Sequence, residues 1–315
     1  MARFRIPLLH QSSLERNEAT ARYRISSLRS YKLTELNIDH LRQWIGNEKA
    51  SAEYVSAGLV ERFAATFDLQ LDTQDGADSP AFIHWCLGQP AEPSHSLGAD
   101  GHPERGGFLP PVPLPRRMWA GGEVIFHDSL RIGETMTRLS TISDVTTKTG
   151  RSGPLVFVTI KHDVSSDGRH VLSERQNIVF RGAGVSVTTK DGIPVVKPAP
   201  EGKHVATVKS AAPLLFRYSA LTFNAHRIHY DAPYTRGVEG YPGLVVQGPL
   251  QATMLQQFAE KLQGAKPLQF RFRSLSPIFD TADFTLNATE EMDGTLKLWT
   301  AQIGGPAAME AIAQW

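Results

Sequence analysis

Polar and apolar residues follow one another along the chain in two periods, and the periods appear in the same order in both halves. A helical period comes first. Val55, Leu59, Val60, Phe63, Ala64 and Phe67 share one face between residues 55 and 67. Ahead of it, Asn37-Ile-Asp39 offers an N-cap for a segment running through Leu41, Trp44 and Ile45. A polar stretch rich in Gly and Pro extends from Gln70 to Gly122, interrupted by the apolar run Ala81–Cys86, which reads as a short strand. Strand-like alternation then predicts strands over Val124–Leu130, around Thr135–Val145, and over Leu155–Ile160 and Val171–Phe180. The last two form a hairpin closed by Ser165–Gly168.

Residues Pro194–Lys203 read as a linker, and the plan repeats beyond them. Pro213–Tyr218 opens onto a loop dense in polar functional groups, and the clearest helix of the chain follows. Pro249 suits its first position, Gly264 suits its stop, and Leu250, Met254, Leu255, Phe258 and Leu262 form its stripe. Strands are predicted at Leu268–Leu275, Asp283–Ala288, Thr295–Ala301 and Ala307–Trp315. Each half is therefore an amphipathic helix followed by about four strands. A curved antiparallel sheet wrapped around the helix supplies the apolar face that such a helix needs. The expectation is an α+β fold with halves at residues 37–193 and 204–315.

Charge narrows the function. Lys and Arg number 33 against 32 Asp and Glu, so the chain lacks the basic excess that phosphate neutralisation demands of a nucleic-acid or anionic-membrane binder. The single cysteine, Cys86, excludes an internal disulfide, a Cys-ligated zinc finger and an iron–sulfur cluster. No apolar run approaches the ~20 residues of a membrane-spanning helix, which points to a soluble intracellular protein. Residues 1–33 hold seven basic residues against Glu15 and Glu18, with several serines. Residues 1–36 are accordingly read as a solvated basic arm or a mitochondrial presequence, and the location as mitochondrial or cytoplasmic.

The densest chemistry lies between Tyr218 and Asp231, where Asn224, His226, His229 and Asp231 fall within eight residues. Tyr241–Leu250 follows and leads into the helix, with Gly248 expected at its N-cap. A helix start presents free N–H groups at the positive end of the dipole, and glycine lets a ligand carbonyl approach them closely. That is the construction of an oxyanion hole, in which one donor is worth about 3–4 kcal/mol. An imidazole titrating near neutrality can move a proton, which makes His229 the candidate acid/base; Asn224 would orient water or the imidazole. Bland readings compete. His226 and His229 have the spacing of metal ligands, but a convincing third ligand is absent. The His and Asn side chains could cap local backbone, and Gly248-Pro249 could simply start a helix. The combination of loop and glycine-headed helix favours catalysis.

Phe223-Asn-Ala-His-Arg-Ile-His-Tyr-Asp231, with Tyr241-Pro-Gly-Leu-Val-Val-Gln-Gly248, resembles the active-site region of the MaoC-like hot-dog hydratases. The branch it is most similar to contains mesaconyl- and itaconyl-CoA hydratases and mitochondrial 3-hydroxyacyl-thioester dehydratases of type 2. Gly106–Gly122 and Lys148–Val158 resemble first-half signatures of that branch. The resemblance implies a double hot-dog with a degenerate first half and a catalytic second half. It also implies a hydro-lyase that reversibly hydrates a 2-enoyl, mesaconyl or itaconyl thioester, the reverse reaction dehydrating a 3-hydroxyacyl thioester. In the shorter hydratases the motif begins with Asp and ends with His. Here the His is His229, and Asn224 stands where the Asp would be. A carboxamide cannot accept a proton as a carboxylate does. Either His229 transfers the proton alone while Asn224 positions water, which is preferred, or Asp231 contributes the carboxylate. Gly248 would stabilise the enolate oxygen, and Tyr241 and Gln247 are further candidate substrate contacts.

In the first half, Arg116 and Arg117 would meet carrier phosphates or a substrate carboxylate, and Met118 and Trp119 would line an acyl tunnel; a surface polyproline segment with a solvated arginine pair is the bland alternative. The thioester carbonyl is itself the electron sink, so no metal or redox cofactor is expected, and coenzyme A or acyl-carrier protein enters as part of the substrate. The rival functions are a dehydratase or isomerase on a specialised natural-product intermediate and a non-catalytic acyl-thioester binding protein. A double hot-dog can satisfy its own pairing, so monomer and homodimer are both open.

Overall fold

The structure, a computed structural model, describes residues 36–150, 153–182 and 197–315. The arm or presequence read over residues 1–36 lies outside the described residues up to position 35, as do residues 183–196, where the first half was expected to pass into the linker. The first half contains α1 (Ile38–Arg42), β1 (Glu48–Tyr54), α2 (Ala57–Phe67), β2 (Arg116–Phe126), β3 (Thr135–Gly150), β4 (Gly153–Ser166) and β5 (Arg169–Arg181). The second contains β6 (His204–Val208), α3 (Ala212–Leu221), α4 (Ala232–Gly237), α5 (Gly248–Gln263), β7 (Gln269–Ser274), β8 (Phe284–Glu290), β9 (Leu296–Gln302) and β10 (Ala307–Gln314).

These strands form one ten-stranded sheet in the order β1-β3-β4-β5-β2-β7-β10-β9-β8-β6. Read outward from the β2–β7 joint, the second half repeats the strand order of the first. Each half also places its long helix between its first and second strands. This is a double hot-dog, as the repeated pattern and the motif resemblance imply.

The joint depends on glycine. β2 and β7 pair antiparallel, with Gly121 opposite Arg273 and Gly122 opposite Phe272. A Cβ on Gly121 would stand 2.4 Å from the Phe272 carbonyl oxygen, and Gly121 has φ +148°. On Gly122 it would stand 2.8 Å from the Phe272 ring of β7 and 2.5 Å from the Arg175 carbonyl oxygen of β5 on the other side. Only a residue without a side chain lets the strands meet this closely.

Helix α5 is buried on most of its circumference, through Leu250, Ala252, Leu255 and Ala259 and through the polar Gln251, Thr253 and Gln256. Burial of polar groups requires partners. Thr300 donates to Gln251 Oε1 at 2.7 Å, Thr253 donates to the Pro249 carbonyl at 2.9 Å, and Gln256 donates to Glu260 at 2.8 Å. In α2, Ser56 caps the helix by accepting from the Leu59 N–H, and Leu59, Val60, Phe63 and Ala64 face the core. The first half also buries a carboxylate. Glu174 accepts from Trp85 Nε1 and Gln176 Nε2, both at 2.8 Å, and lies 3.2 Å from His84 Nε2. Burial pushes its pKa up, but these donors and the nearby His84 and His162 outweigh burial and hold it down at about 2.

Several expectations are corrected. Ala81–Cys86 is not a strand: Phe82 adopts φ +68° and Ile83–Cys86 form a 3-10 turn. Burial on all sides makes a short apolar run look the same in either conformation. β2 begins at Arg116, inside the stretch read as a polar excursion, because Gly121 and Gly122 interrupt its apolar alternation. β1 and β6 were not predicted; β1 is an edge strand with the sequence Glu-Lys-Ala-Ser-Ala-Glu-Tyr and almost no buried face. Pro213–Tyr218 belongs to α3. Among the described residues no helix is long and apolar enough to cross a membrane.

Substituting Gly121→Ala should lower unfolding stability by about 2–4 kcal/mol, from backbone strain together with overpacking. The urea midpoint measures this; an unchanged midpoint would mean that the strands separate there at little cost.

Candidate active site

The loop after α3 is shaped by its own side chains. Phe223 turns the chain in the left-handed region, at φ +48°. Asn224 Oδ1 then accepts from the His226 N–H at 3.0 Å. This bond commits the Asn224 carbonyl to the turn and leaves its NH₂ group as the donor it can offer a water. Arg227–His229 form a 3-10 turn, and Asp231 caps α4. His229 is buried, and its Nδ1 lies 2.7 Å from the Val245 carbonyl oxygen. A carbonyl only accepts, so Nδ1 carries the proton and Nε2 keeps its lone pair. Burial, together with the field of His102, drives its pKa down to about 4 against the raising effect of the Val245 bond. His229 is therefore a neutral imidazole at pH 7 with Nε2 free to act as a base.

Three residues beyond Val245, Gly248 is the first residue of α5. The N-cap is Gln247, not Gly248 as expected, because Gly248 already has helical backbone and Pro249 takes the second position. The Gly248 N–H remains one of the first-turn donors that a helix leaves without an internal partner. A Cβ at Gly248 would lie 3.1 Å from the Trp119 ring and 3.6 Å from Ser274 Oγ, a buried hydroxyl with no hydrogen-bond partner among the described residues. Trp119 packs on Phe272 at 4.5 Å between ring centroids and edge-on to Trp85 at 5.2 Å, so the first half covers the N-terminus of α5.

Other expected site residues have different positions. Gln247 is fully buried and donates to the Leu215 carbonyl at 2.8 Å and to Ser219 Oγ at 3.0 Å. Its Nε2 ties α5 to α3, while its Oε1 is buried with no hydrogen-bond partner among the described residues. Asp231 spends Oδ1 on the Tyr234 N–H and Oδ2 on Arg227, and those bonds lower its pKa. It is a helix cap and not a second proton carrier. Met118 is exposed, on the face of β2 opposite Trp119, so it is not placed to line a tunnel with it. Arg116 donates to the Glu239 carbonyl at 3.1 Å, pairs with its carboxylate at 3.4 Å and lies 5.6 Å over the Tyr241 ring. Both Arg116 and Tyr241 thereby hold the 237–241 loop. Arg117 differs, for its guanidinium makes no hydrogen bond or ion pair among the described residues. Burial pulls its pKa down to about 10, and its charge is felt by Asp100, His102 and His226.

Asp100 and His102 were missed. They lie in the stretch read as a polar excursion, where only Asp100-Gly-His102 beside a proline hinted at a built turn. His102 Nδ1 is 2.9 Å from Asp100 Oδ2, and the His102 ring sits 4.0 Å from that of His226, which in turn meets His229 edge-on at 5.4 Å. The third partner that the sequence did not offer to His226 thus comes from the other half. Asp100, His102 and His226 bring ligand atoms within 4.8 Å of one another, close enough to hold an ion. The adjoining Arg117 cation and the Asp100–His102 bond favour an acid/base cluster instead. A separate apolar groove of about 560 Å³ runs between α2 and α3, with Leu59, Cys86, Leu221 and Phe223 among its walls. It ends one residue before Asn224 and contains no member of the cluster.

The profile of the hydroxyacyl-thioester dehydratase type 2 family matches residues 81–280. The chain is 42% identical over 255 residues to the mesaconyl-C(4)-CoA hydratase of Chloroflexus aurantiacus, covering 79% of this chain and 89% of that protein. Among solved structures, a MaoC-like dehydratase from Phytophthora capsici superposes with a TM-score of 0.64 at 13% identity, over 89% of this chain and 98% of that one. A Mycobacterium tuberculosis protein described as a double hot-dog gives 0.53 at 13% identity, over 85% and 95%. These two share the fold. The family match spans the joint, the histidine loop and the start of α5 alike, so this chain belongs to the hydroxyacyl-thioester dehydratase type 2 family of MaoC-like hot-dog hydratases.

Proposed function

We propose that this hydro-lyase adds water to the double bond of a 2-enoyl thioester bearing a second carboxylate, and removes it in reverse. The observation that carries the mechanism is the His229 tautomer, neutral and buried, with Nδ1–H on the Val245 carbonyl and Nε2 free. Nε2 takes a proton from a water that the Asn224 amide orients, and the water oxygen bonds to C3. The C2–C3 electron pair moves toward the thioester oxygen, where the Gly248 N–H at the head of α5 stabilises it. The imidazolium returns the proton to C2.

The substrate class rests on Arg117 and on the name of the Chloroflexus relative, a mesaconyl thioester hydratase. Mesaconate is a dicarboxylic acid, so its monothioester keeps one carboxylate. Arg117 and Trp119 share a face of β2. A substrate lying against Trp119 and Gly248 would bring such a carboxylate to the unpaired guanidinium. Arg117 interacts with the imidazole cluster, so it serves the reacting end of the substrate and not the far phosphates of a carrier.

Loss of the enoyl-thioester absorbance on a panel of crotonyl-, medium-chain 2-enoyl-, mesaconyl- and itaconyl-CoA tests the reaction. His229→Gln should lower kcat about 10²- to 10⁴-fold, and full activity in that variant would sink the mechanism. Because the working base is the neutral imidazole, kcat/KM should stay flat as pH falls through 6.5 and drop only in a limb near 4; a limb at 6 to 7 would contradict the buried tautomer. Arg117→Gln should reduce kcat/KM for mesaconyl-CoA about 10- to 100-fold more than for crotonyl-CoA, the range of a charge-assisted pair. An equal loss on both substrates would remove the carboxylate from the proposal.

A further inference from the structure

The motif's missing carboxylate has a counterpart elsewhere in the fold. Asn224 stands where related hydratases carry Asp, and its carbonyl is bonded to the His226 N–H, so it supplies no charge. Asp231 is tied to Arg227 and the Tyr234 N–H. Asp100, from the first half, is the acidic side chain that reaches the imidazole cluster, and its position is enforced by backbone. The Asp100 carbonyl accepts from the Arg227 N–H at 2.9 Å, and the Ala99 carbonyl accepts from Arg227 Nη1 at 3.0 Å. Directly after Asp100, Gly101 has φ +88°, and a Cβ there would sit 1.9 Å from the Ala225 carbonyl oxygen. No other residue fits. The 98–102 turn, closed by the Gly98 N–H on the His102 carbonyl at 2.8 Å, is thus seated directly on the loop that carries His226 and His229.

We infer that Asp100, acting through His102, is the carboxylate of this active site, so that the first half supplies part of the acid/base machinery. The inference rests on the hydro-lyase reading above. Asp100 Oδ2 accepts from His102 Nδ1, which fixes that tautomer, and Oδ1 accepts from the His102 N–H at 3.0 Å. The His102 ring packs against His226 at a 38° tilt, and the His226 ring stands nearly perpendicular to His229 at 87°. Asp100 therefore acts in two ways. It holds the packed imidazoles that orient His229, and its negative charge stabilises the imidazolium formed when Nε2 takes the water proton. Asp100 stays ionised throughout: the proton moves from water to His229 and back to C2, and nothing is left on the carboxylate. Burial would favour a neutral carboxyl, but the His102 donors and the fields of His102 and His226 outweigh it and hold Asp100 well below the usual carboxylate range. Burial also keeps His102 and His226 neutral, the latter down to about 2. Among the described residues, Arg117 and Arg105 face the cluster as cations and Asp100 is the anion beside them; the neutral Tyr234 phenol also feels the Asp100 charge, and Arg227 and Asp231 are paired with one another beside it.

Asp100→Asn keeps the shape of the turn and removes the charge. Its kcat should fall about 10- to 100-fold, with KM within about threefold of wild type. By Coulomb attraction lost to the imidazolium, the low-pH limb of kcat/KM should move about half a unit to one unit lower. Asp100→Glu should keep the limb in place and recover most of kcat. His102→Gln, which leaves the carboxylate but breaks its link to His226, should lower kcat to a similar degree, and it serves if the Asn variant does not fold. Imidazole ¹⁵N shifts of the unliganded wild type should report His102 as the Nδ1–H tautomer. A kcat within twofold of wild type with an unmoved limb in Asp100→Asn, equal losses in the Asn and Glu variants with an unmoved limb, or a wild-type His102 lacking the Nδ1 proton would each overturn the inference. Wild-type protein silent on every thioester would instead refute the hydro-lyase reading, and the ¹⁵N result would still decide the Asp100–His102 link.

Discussion

The pairing of β2 with β7 is the constraint on which this molecule depends. It fuses two five-stranded half-sheets into one, and it does so at Gly121 and Gly122, where no side chain could be accommodated. Once the strands are that close, Trp119 is carried over the first turn of α5 and Arg117 toward the histidine loop. Helix α5 thus begins against Trp119 of the opposite half, with Ser274 of its own half beside it. A hydrogen-bond donor at a helix start is weak in water and strong when water is kept out, so in the proposed mechanism the cover that the joint provides is part of the chemistry.

Burial then sets the protonation states. His229 has its Nδ1 proton held by a carbonyl, and the cost of placing a cation in the interior keeps the ring neutral at working pH. The same cost makes the transient imidazolium expensive, which is why a nearby anion matters. Asp231 and Glu239, which follow the histidines in the second half, are already spent, Asp231 on a helix cap and an arginine, and Glu239 on Arg116. The first half, which resemblance alone would class as degenerate, brings Asp100 and His102 to the cluster.

The division of labour among the arginines follows from the same accounting of partners. Arg105 donates to the Val112, Leu114 and Pro115 carbonyls and so fastens the proline-rich segment, in which Val112 and Leu114 are buried. That segment is thus a packed rim and not a solvated polyproline strip. Arg116 is taken up by Glu239 and Tyr241. Arg117 alone among these three lacks such a bond, and it lies beside the histidines.

Periodicity by itself determined α2, α5 and the strands β3–β5 and β7–β10, because the alternation or helical stripe of apolar residues in them records which positions meet the core. Local residue chemistry also determined the histidine loop and the glycine at the head of α5, since both are contiguous in the chain. The tertiary structure decided the rest. Edge strand β1 has no buried face to mark it, and β2 is broken by the glycines that its pairing requires. The Gln247 side chain reads as a substrate contact until its partners Leu215 and Ser219 are seen. Asp100 and His226 are more than a hundred positions apart, and no local pattern links them. They meet because the Gly101 backbone packs against the Ala225 carbonyl, a contact between halves that only the folded sheet brings about.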